Sequence, residues 1–280
     1  MQSLILGLLA ALLWGLHDFT VRKIGPKADA AALYLIVLGV GAALLLPLAL
    51  FAGGWQTLSA PVLRLSLAAG LAAALAGYGL YRAFAIGPVR LVAPICGAFP
   101  LLSVGFAVAR GAEAGPLVWL GVAAVVGGIA IVARGETDDT AGDARAAVAW
   151  SVLASIGFAA TFGLLQWAAE RGAALPVSLL ARLAACAVML AWIAAQRIDI
   201  KPAFALLPQL ALLGALDVSA LTAVTLASGF ARPEFASVAA SIFGSVTILL
   251  AWRFLGETVK PVQWCGVGLA FAGIAGLGIV

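Results

Sequence analysis

Short breaks divide the chain into apolar segments of nearly uniform length, and this spacing constrains the fold more than any other feature of the sequence. A helix needs about 20 apolar residues to cross the hydrocarbon core of a bilayer. Ten windows meet this requirement, near residues 3–21, 31–52, 63–84, 88–109, 115–134, 146–169, 175–195, 204–229, 233–254 and 260–280. The breaks between them are too short for a soluble domain. The sequence therefore predicts an all-α membrane protein with ten transmembrane helices.

The composition excludes several other classes of protein. Only 10% of the residues are charged and 64% are hydrophobic, whereas soluble domains carry about 25% charged residues. The net charge of +4 is dispersed along the chain, without the basic patch of a nucleic-acid-binding protein. Cys96, Cys186 and Cys265 lie far apart in apolar segments, so we expect no metal site and no cofactor. The first window lacks a basic leader and a cleavage site, which favours a membrane span over a signal peptide.

An internal repeat relates the two parts of the chain. Shifts of 145 and 144 residues superpose matching Pro, Trp, Gly, Phe and Glu residues: Pro88 and Pro233, Pro116 and Pro261, Trp119 and Trp264, Gly128 and Gly273, Phe99 and Phe243, Glu113 and Glu257. Chance matches are common among Ala, Leu and Gly, but less so among Pro, Trp and Glu. We predict a five-helix repeat over residues 1–134, a linker over 135–145 and a second repeat over 146–280. Because five is odd, the second repeat enters the membrane from the opposite side, as an inverted repeat.

The positive charges predict the orientation in the membrane, because cytoplasmic loops are rich in Lys and Arg. One side of the ten-helix topology collects eleven of them: Arg22, Lys23, Lys27, Arg82, Arg90, Arg134, Arg145, Arg197, Lys201, Arg253 and Lys260. The other side holds five: Arg64, Arg110, Arg171, Arg182 and Arg232. This bias places the central linker in the cytoplasm and both termini on the opposite, periplasmic side.

Three stretches of sequence resemble a known family. Leu12-Leu13-Trp14-Gly15, Leu255-Gly256-Glu257-Thr258 and the run from Pro261 to Gly266 are similar to the EamA-type group of the drug/metabolite transporter superfamily. The first repeat departs from the pattern, because Glu113 stands one place later than expected. The resemblance implies a secondary transporter of the bacterial inner membrane that exports amino acids or related metabolites by alternating access, with aromatic amino acids as the first candidates. We also expect the carrier to be a monomer.

Other functions remain as alternatives. A multidrug or nucleotide-sugar carrier would share the same fold. An intramembrane enzyme is disfavoured, because the chain has 1 His and neither an HExxH nor a GxSxG motif. A receptor is disfavoured by the absence of a long polar segment. No Walker A motif is present, so ATP hydrolysis within the chain is not expected.

Ionisable residues inside predicted spans are the first candidates for function, because they are costly in a bilayer. Asp217 lies near the middle of the eighth span, where it must pair, face a cavity or carry a proton. His17 and Asp18 lie toward the cytoplasmic end of the first span and are either a solvated interfacial pair or a proton relay. We consider these three residues for proton coupling. Arg82 and Arg182 can extend their side chains to the interface or bind a substrate carboxylate.

Aromatic and hydroxyl side chains supply further candidates for contact with a small-molecule substrate. Tyr78 and Tyr81 are three residues apart and so share a helix face; by the family resemblance, the third and eighth helices line a central cavity. Trp14, Phe99 and also Phe158 and Phe162 can extend an aromatic wall, although packing or lipid contact is the plainer interpretation. The residues that we predict to bind the substrate are Trp14, Tyr78, Tyr81, Phe99, Asp217, Ser241 and Ser245.

Overall fold

The computed structural model describes residues 1–24, 27–86, 92, 95–133, 144–255 and 260–277. Within these residues the chain is helical and contains no strand. The helices, numbered here α1 to α11, are Gln2–Ile24, Ala30–Ala52, Ala60–Ile86, Phe99–Ala109, Pro116–Ala133, Ala144–Ala169, Ala174–Gln196, Leu207–Leu226, Glu234–Ala240, Phe243–Leu255 and Pro261–Leu277. A single helical turn over Lys201–Phe204 precedes α8. The predicted linker falls almost entirely outside the described residues.

Seven segments of the described chain are long and apolar enough to cross a membrane. They are α1, α2, α3, α6, α7, α8 and the combined stretch of α9 and α10. The remaining helices are shorter: α4 has 11 residues, α5 has 18 and α11 has 17. The start of the predicted fourth span, residues 88–91 and 93–94, lies outside the described residues. Val92, Ile95 and Cys96 are helical, and α4 follows from Phe99 after a turn at Gly97 and Ala98.

The outer surface of the bundle is apolar, as a lipid-embedded protein requires. Large apolar side chains are exposed along α2, at Leu44, Leu46, Leu48, Leu50 and Phe51. Similar rows of exposed Leu occur on α1 and α3. In water such a surface would drive aggregation, whereas in a bilayer it faces hydrocarbon at no cost. The chain is therefore a multi-pass membrane protein.

The internal repeat relates the contacts between helices in pairs: a shift of 144 residues maps one contact of each pair onto the other. Helix α3 packs on α6, and its counterpart is the packing of α8 on α1. The contact of α3 with α7 corresponds to that of α8 with α2, and the contact of α4 with α6 corresponds to that of α9 and α10 with α1. Helices α2 and α7 pack on each other, as do α5 and α11. The two halves thus wrap around each other instead of forming separate bundles.

Two glycines at equivalent positions of the repeats show this relation in atomic detail, because each lets two helix backbones approach closely. A Cβ atom added at Gly70 of α3 would collide with the carbonyl oxygen of Ala181 in α7 and lie 2.6 Å from Ala184. A Cβ atom added at Gly214 of α8 would lie 2.8 Å from the carbonyl oxygen of Val37 in α2. The shift of 144 residues converts the first contact into the second. Small residues at such crossings let helix backbones approach closely in lipid.

Candidate functional site

A cavity lies where α1, α2, α3, α6, α7 and α8 converge. It has two lobes, which span about 470 and 430 Å³ when the open space at their mouths is included. Both lobes are lined by Trp14, Tyr34, Phe158, Phe162 and Asp217, so they adjoin each other. The first lobe also reaches His17, Asp18, Tyr81, Phe99 and Phe243. The second reaches Leu38, Ala73, Thr161 and Arg182.

The wall of this cavity is built from equivalent positions of the two repeats. A shift of 144 residues pairs the lining residues as Trp14 with Phe158, His17 with Thr161, Asp18 with Phe162, Leu38 with Arg182, Ala73 with Asp217, and Phe99 with Phe243. The cavity therefore lies between the two halves, at their common interface. The charged members of these pairs each have an uncharged counterpart, so the wall is symmetric in position but not in chemistry.

An ion pair buried in the wall joins α7 to α8. Nη2 of Arg182 lies 2.8 Å from Oδ2 of Asp217, and Nε1 of Trp14 donates a hydrogen bond of 3.0 Å to Oδ1 of the same carboxylate. Arg182 is buried, and its guanidinium lies against Gly41, where a Cβ atom would be 2.5 Å from Nη1. Three helices thus hold one carboxylate between a cation and an indole donor.

A second polar group lies toward the other end of the first lobe. Nδ1 of His17 is 3.0 Å from Oδ1 of Asp18, and the hydroxyl of Tyr81 is 3.2 Å from Nε2 of His17. Tyr34 extends the group, because its ring centroid is 5.3 Å from that of Tyr81 and its hydroxyl donates to the carbonyl of Ala73. The spacing of Trp14, His17 and Asp18 on α1, at i, i+3 and i+4, puts all three on one helix face.

Several buried polar atoms of the residues that line the cavity have no hydrogen-bond partner. Among the described residues, Nε and Nη1 of Arg182 donate no hydrogen bond, and Oδ2 of Asp18 accepts none. Buried polar groups are normally satisfied, so these atoms mark where an occupant of the cavity would gain the most. They offer cationic donors in one lobe and an anionic acceptor in the other.

The structure brings together many of the residues that the sequence singled out and corrects the environment of others. Trp14, Tyr81, Phe99 and Asp217 line the cavity. His17 and Asp18 are buried, at 3% and 4% exposure, and do not form a solvated interfacial pair. Arg182 does not extend to the interface, because Asp217 holds it inside.

Tyr78 does not lie with Tyr81 on the cavity wall. Its ring centroid is 5.5 Å from that of Trp150 and 5.9 Å from that of Trp192, so it packs in an aromatic cluster between α3, α6 and α7. Three residues turn a helix by about 300°, which leaves about 60° between the two side chains. That difference is enough to send one ring into the cavity and the other into a helix contact.

Ser241 and Ser245 also differ from the prediction of a cavity-facing hydroxyl pair. The helix breaks after Ala240, and the hydroxyl of Ser241 donates to the carbonyl of Val238, 2.7 Å away. Ser245 is buried, at 2% exposure. Neither lines the two lobes described above. In a continuous helix, residues 241 and 245 would lie one turn apart on one face, and the break between α9 and α10 interrupts that helix.

One member of the site, Tyr34, was not predicted from the sequence, and the partner of another, Arg182, was not predicted. The sequence does not mark Tyr34 as functional, because an isolated tyrosine in an apolar window forms no pattern. Its position is explained by Gly77, where any Cβ atom would overlap the Tyr34 ring. Arg182 was noticed but not connected to Asp217, because the two residues lie on different helices and only their packing reveals the pair.

A third polar region lies at the opposite end of the bundle from His17. Arg110, at the end of α4, forms an ion pair with Glu170, at the end of α6, and stacks its guanidinium 4.7 Å from the ring centroid of Trp167. Gln166 donates to the carbonyl of Pro233, 2.8 Å away, and so ties α6 to the start of α9. These contacts border a surface depression of about 560 Å³. We call them the outer cluster.

A multi-pass helical protein with a polar cavity between two repeated halves belongs to the class of membrane transporters. The sequence model of the EamA-like transporter family matches the chain twice, over residues 1–134 and 145–279. The chain therefore belongs to the EamA-like transporter family, a group of membrane transporters of small molecules, and the resemblance predicted from sequence is confirmed.

Two further comparisons complete this result. A solved structure described only as "Crystal structure of protein" is similar, with a TM-score of 0.79 and 14% identity over 99% of this chain and 96% of that chain. At this identity the likeness shows the fold alone. No curated protein matches the chain.

Proposed function

We propose that this chain exports amino acids across the bacterial inner membrane by alternating access. The observation that carries the proposal is the Arg182–Asp217 pair, which lies buried in the wall of an aromatic cavity with unused donors on Arg182. A zwitterion presents a carboxylate and an ammonium group. The carboxylate matches the free guanidinium donors, and the ammonium group matches the carboxylates of Asp217 and Asp18.

The aromatic wall favours amino acids with large apolar side chains. Phe99, Phe158 and Phe162 form a contiguous cluster, with centroid distances of 5.0 to 6.1 Å, and Trp14 lies 5.4 Å from Phe162. Such surfaces bind apolar and aromatic groups by burial and ring contact. Aromatic amino acids are therefore our first candidates.

The charged residues of the cavity wall distinguish an amino-acid carrier from the alternative carriers. Among the described cavity residues, Arg182 is balanced by Asp217, and Asp18 adds a further acid. A nucleotide sugar carries phosphates and would need additional cations, which this wall does not offer. A lipophilic cation would suit the aromatic wall and Asp18, so a multidrug carrier remains the second candidate and enters the test below.

Alternating access requires that the cavity be closed to one side at a time. The outer cluster joins α4, α6 and α9, three helices that also contact one another. We propose that it closes the periplasmic end in the present conformation. The accompanying topology is the one proposed from sequence: ten spans in two inverted repeats, a cytoplasmic linker, periplasmic termini and a monomeric carrier.

A flux panel tests the proposed function. We expect proteoliposomes of the purified protein preloaded with L-phenylalanine to exchange it for external radiolabelled L-phenylalanine, L-tryptophan or L-leucine. Exchange of L-glutamate, UDP-glucose or tetraphenylphosphonium is expected to be at background. Protein-free liposomes and the variant Asp199→Asn, which changes an exposed acid outside the cavity, serve as controls. Exchange of tetraphenylphosphonium alone would replace the proposal with the multidrug alternative, and exchange of none of the amino acids would overturn it.

The outer cluster yields a second expectation. Glu170→Gln removes the acid that contacts both Arg110 and Arg171. The pair is partly exposed, so its contribution is at most about 1 kcal/mol, or roughly a fivefold change in the population of the outward-open state. The measurement is the rate at which an impermeant maleimide added outside labels Thr161→Cys, in a background without other cysteines.

Glu113→Gln, at an exposed loop position near Arg110, is the matched control and is expected to label at the unmodified rate. Exchanging the charges with Arg110→Glu and Glu170→Arg together is expected to restore slow labelling. Equal labelling rates in Glu170→Gln and Glu113→Gln would show that the ion pair does not close this end.

A further inference from the structure

The two acids of the cavity are unequally partnered. Asp217 has Arg182 at 2.8 Å and the indole of Trp14 at 3.0 Å. Asp18 has His17 on its Oδ1, and its Oδ2 accepts no hydrogen bond among the described residues. Both Asp18 and His17 are buried, so the free oxygen is shielded from bulk solvent. The two carboxylates therefore differ in how fully their hydrogen bonds are satisfied.

The hydrogen bonds around His17 indicate where a proton binds. The Tyr81 hydroxyl can donate to Nε2, 3.2 Å away, which leaves the imidazole proton on Nδ1 to donate to Asp18 Oδ1. In this arrangement a neutral imidazole uses both of its nitrogens. A proton that enters the group then binds at Oδ2 of Asp18, the carboxylate oxygen that accepts no hydrogen bond among the described residues.

Apart from His17, whose imidazole is neutral in this arrangement, the described groups around Asp18 do not supply a counter-charge. Arg182 on α7 is already balanced by Asp217 on α8. Tyr34 on α2 and Tyr81 on α3 are neutral, and the thiol of Cys96 donates to the carbonyl of Ser151. An unpaired carboxylate in this interior is costly. Asp18 therefore requires either a proton or a cationic group of a ligand.

We propose that Asp18 is the proton-exchange group of the transporter, and that its Oδ2 binds either a proton or the ammonium group of the substrate. The proposal rests on the proposed function as an amino-acid carrier. When substrate binds from the cytoplasm, the O–H bond of Asp18 breaks, its proton passes to cytoplasmic water, and the ammonium group binds in its place. When substrate leaves on the far side, Asp18 takes up a proton from that side. One substrate moves out for each proton that moves in, and His17 and Tyr81 position the carboxyl.

Proton release by the unmodified protein is the first measurement. L-phenylalanine is added to the purified transporter in weakly buffered detergent containing a pH indicator, and binding is followed in parallel by calorimetry. We expect about one proton released per bound L-phenylalanine. Because proton and substrate compete, linkage predicts that the apparent Kd rises toward about tenfold per unit fall in pH.

Asp18→Asn is the diagnostic variant. We expect it to bind L-phenylalanine with a raised apparent Kd, because the ammonium group loses its carboxylate partner, to release no proton on binding and to lose accumulation driven by a pH gradient. Asp199→Asn, the exposed control, is expected to match the unmodified protein in all three measurements. The indicator measurement on the unmodified protein decides the matter if Asp18→Asn does not assemble.

Two outcomes would overturn the inference alone: binding of L-phenylalanine without proton release, or gradient-driven accumulation by Asp18→Asn equal to that of the unmodified protein. In both cases the transporter still carries amino acids, so the proposed function stands. Absence of amino-acid binding and exchange in the unmodified protein would overturn the proposed function and this inference with it.

Discussion

Arg182→Gln is expected to abolish amino-acid exchange and to destabilise the protein. The substitution removes the cation that we assign to the substrate carboxylate, and it leaves Asp217 buried without its ionic partner. Breaking a buried ion pair on one side costs about 3–5 kcal/mol, and a loss of that size in binding lowers affinity by at least about 100-fold. The measurements are exchange of L-phenylalanine in liposomes and the midpoint of thermal unfolding in detergent.

A double variant separates the two effects. Arg182→Gln combined with Asp217→Asn removes both charges, and replacing a buried pair by neutral groups is far less costly than removing one partner. We expect the unfolding midpoint to return toward that of the unmodified protein while exchange stays absent. If the double variant recovers exchange together with stability, the pair is structural and does not bind substrate.

Gly70→Val and Gly214→Val are expected to destabilise the fold by similar amounts. Each added side chain would meet a backbone carbonyl and a Cβ atom of the helix opposite, at Ala181 and Ala184 or at Val37 and Val40. Backbone cannot yield as a flexible side chain does, so we expect a cost of about 3 kcal/mol and a fall of about 10 °C in the unfolding midpoint. The measurement is thermal unfolding together with the yield of monodisperse protein.

Gly39→Val provides the matched control, because Gly39 lies in α2 with no atom within 4 Å of an added Cβ. We expect its midpoint to stay within about 1 °C of the unmodified value, since only the small difference in helix propensity applies. A Gly214→Val protein as stable as Gly39→Val would contradict the close contact between α2 and α8. Unequal losses at Gly70 and Gly214 would show that the two equivalent crossings differ in rigidity.

Much of the helical framework could be predicted from the sequence, because lipid imposes a simple requirement on each span. The helices α2, α6 and α7 begin and end within two residues of the predicted windows. The turn at Gly97 and Ala98 inside the fourth window was not predicted, since it lies in an uninterrupted apolar run that hydropathy cannot divide. The break at Ser241 was missed for the same reason.

The site was predicted in part, and the relations that could not be predicted all depend on how the helices pack against one another. Asp217 stood out because an acid in mid-membrane is costly wherever it faces. Its partner Arg182 could not be identified, because the pair joins two helices and depends on how α7 and α8 pack. Tyr78 and Tyr81 show the same limit, since helical spacing shows that they are neighbours but not which of them reaches the cavity.

The unequal chemistry of paired wall positions has a consequence for the history of the gene. Duplication first produces two identical halves, so Arg182 opposite Leu38, Asp217 opposite Ala73 and Asp18 opposite Phe162 reflect later divergence. A tandem of two first halves would carry two copies of Asp18 and no anchoring arginine, whereas a tandem of two second halves would carry the reverse. Each half now carries charged residues that the other half lacks, so the complete cavity requires both. Recombination that exchanged half-genes between distant relatives would thus preserve the architecture while separating the residues that must work together.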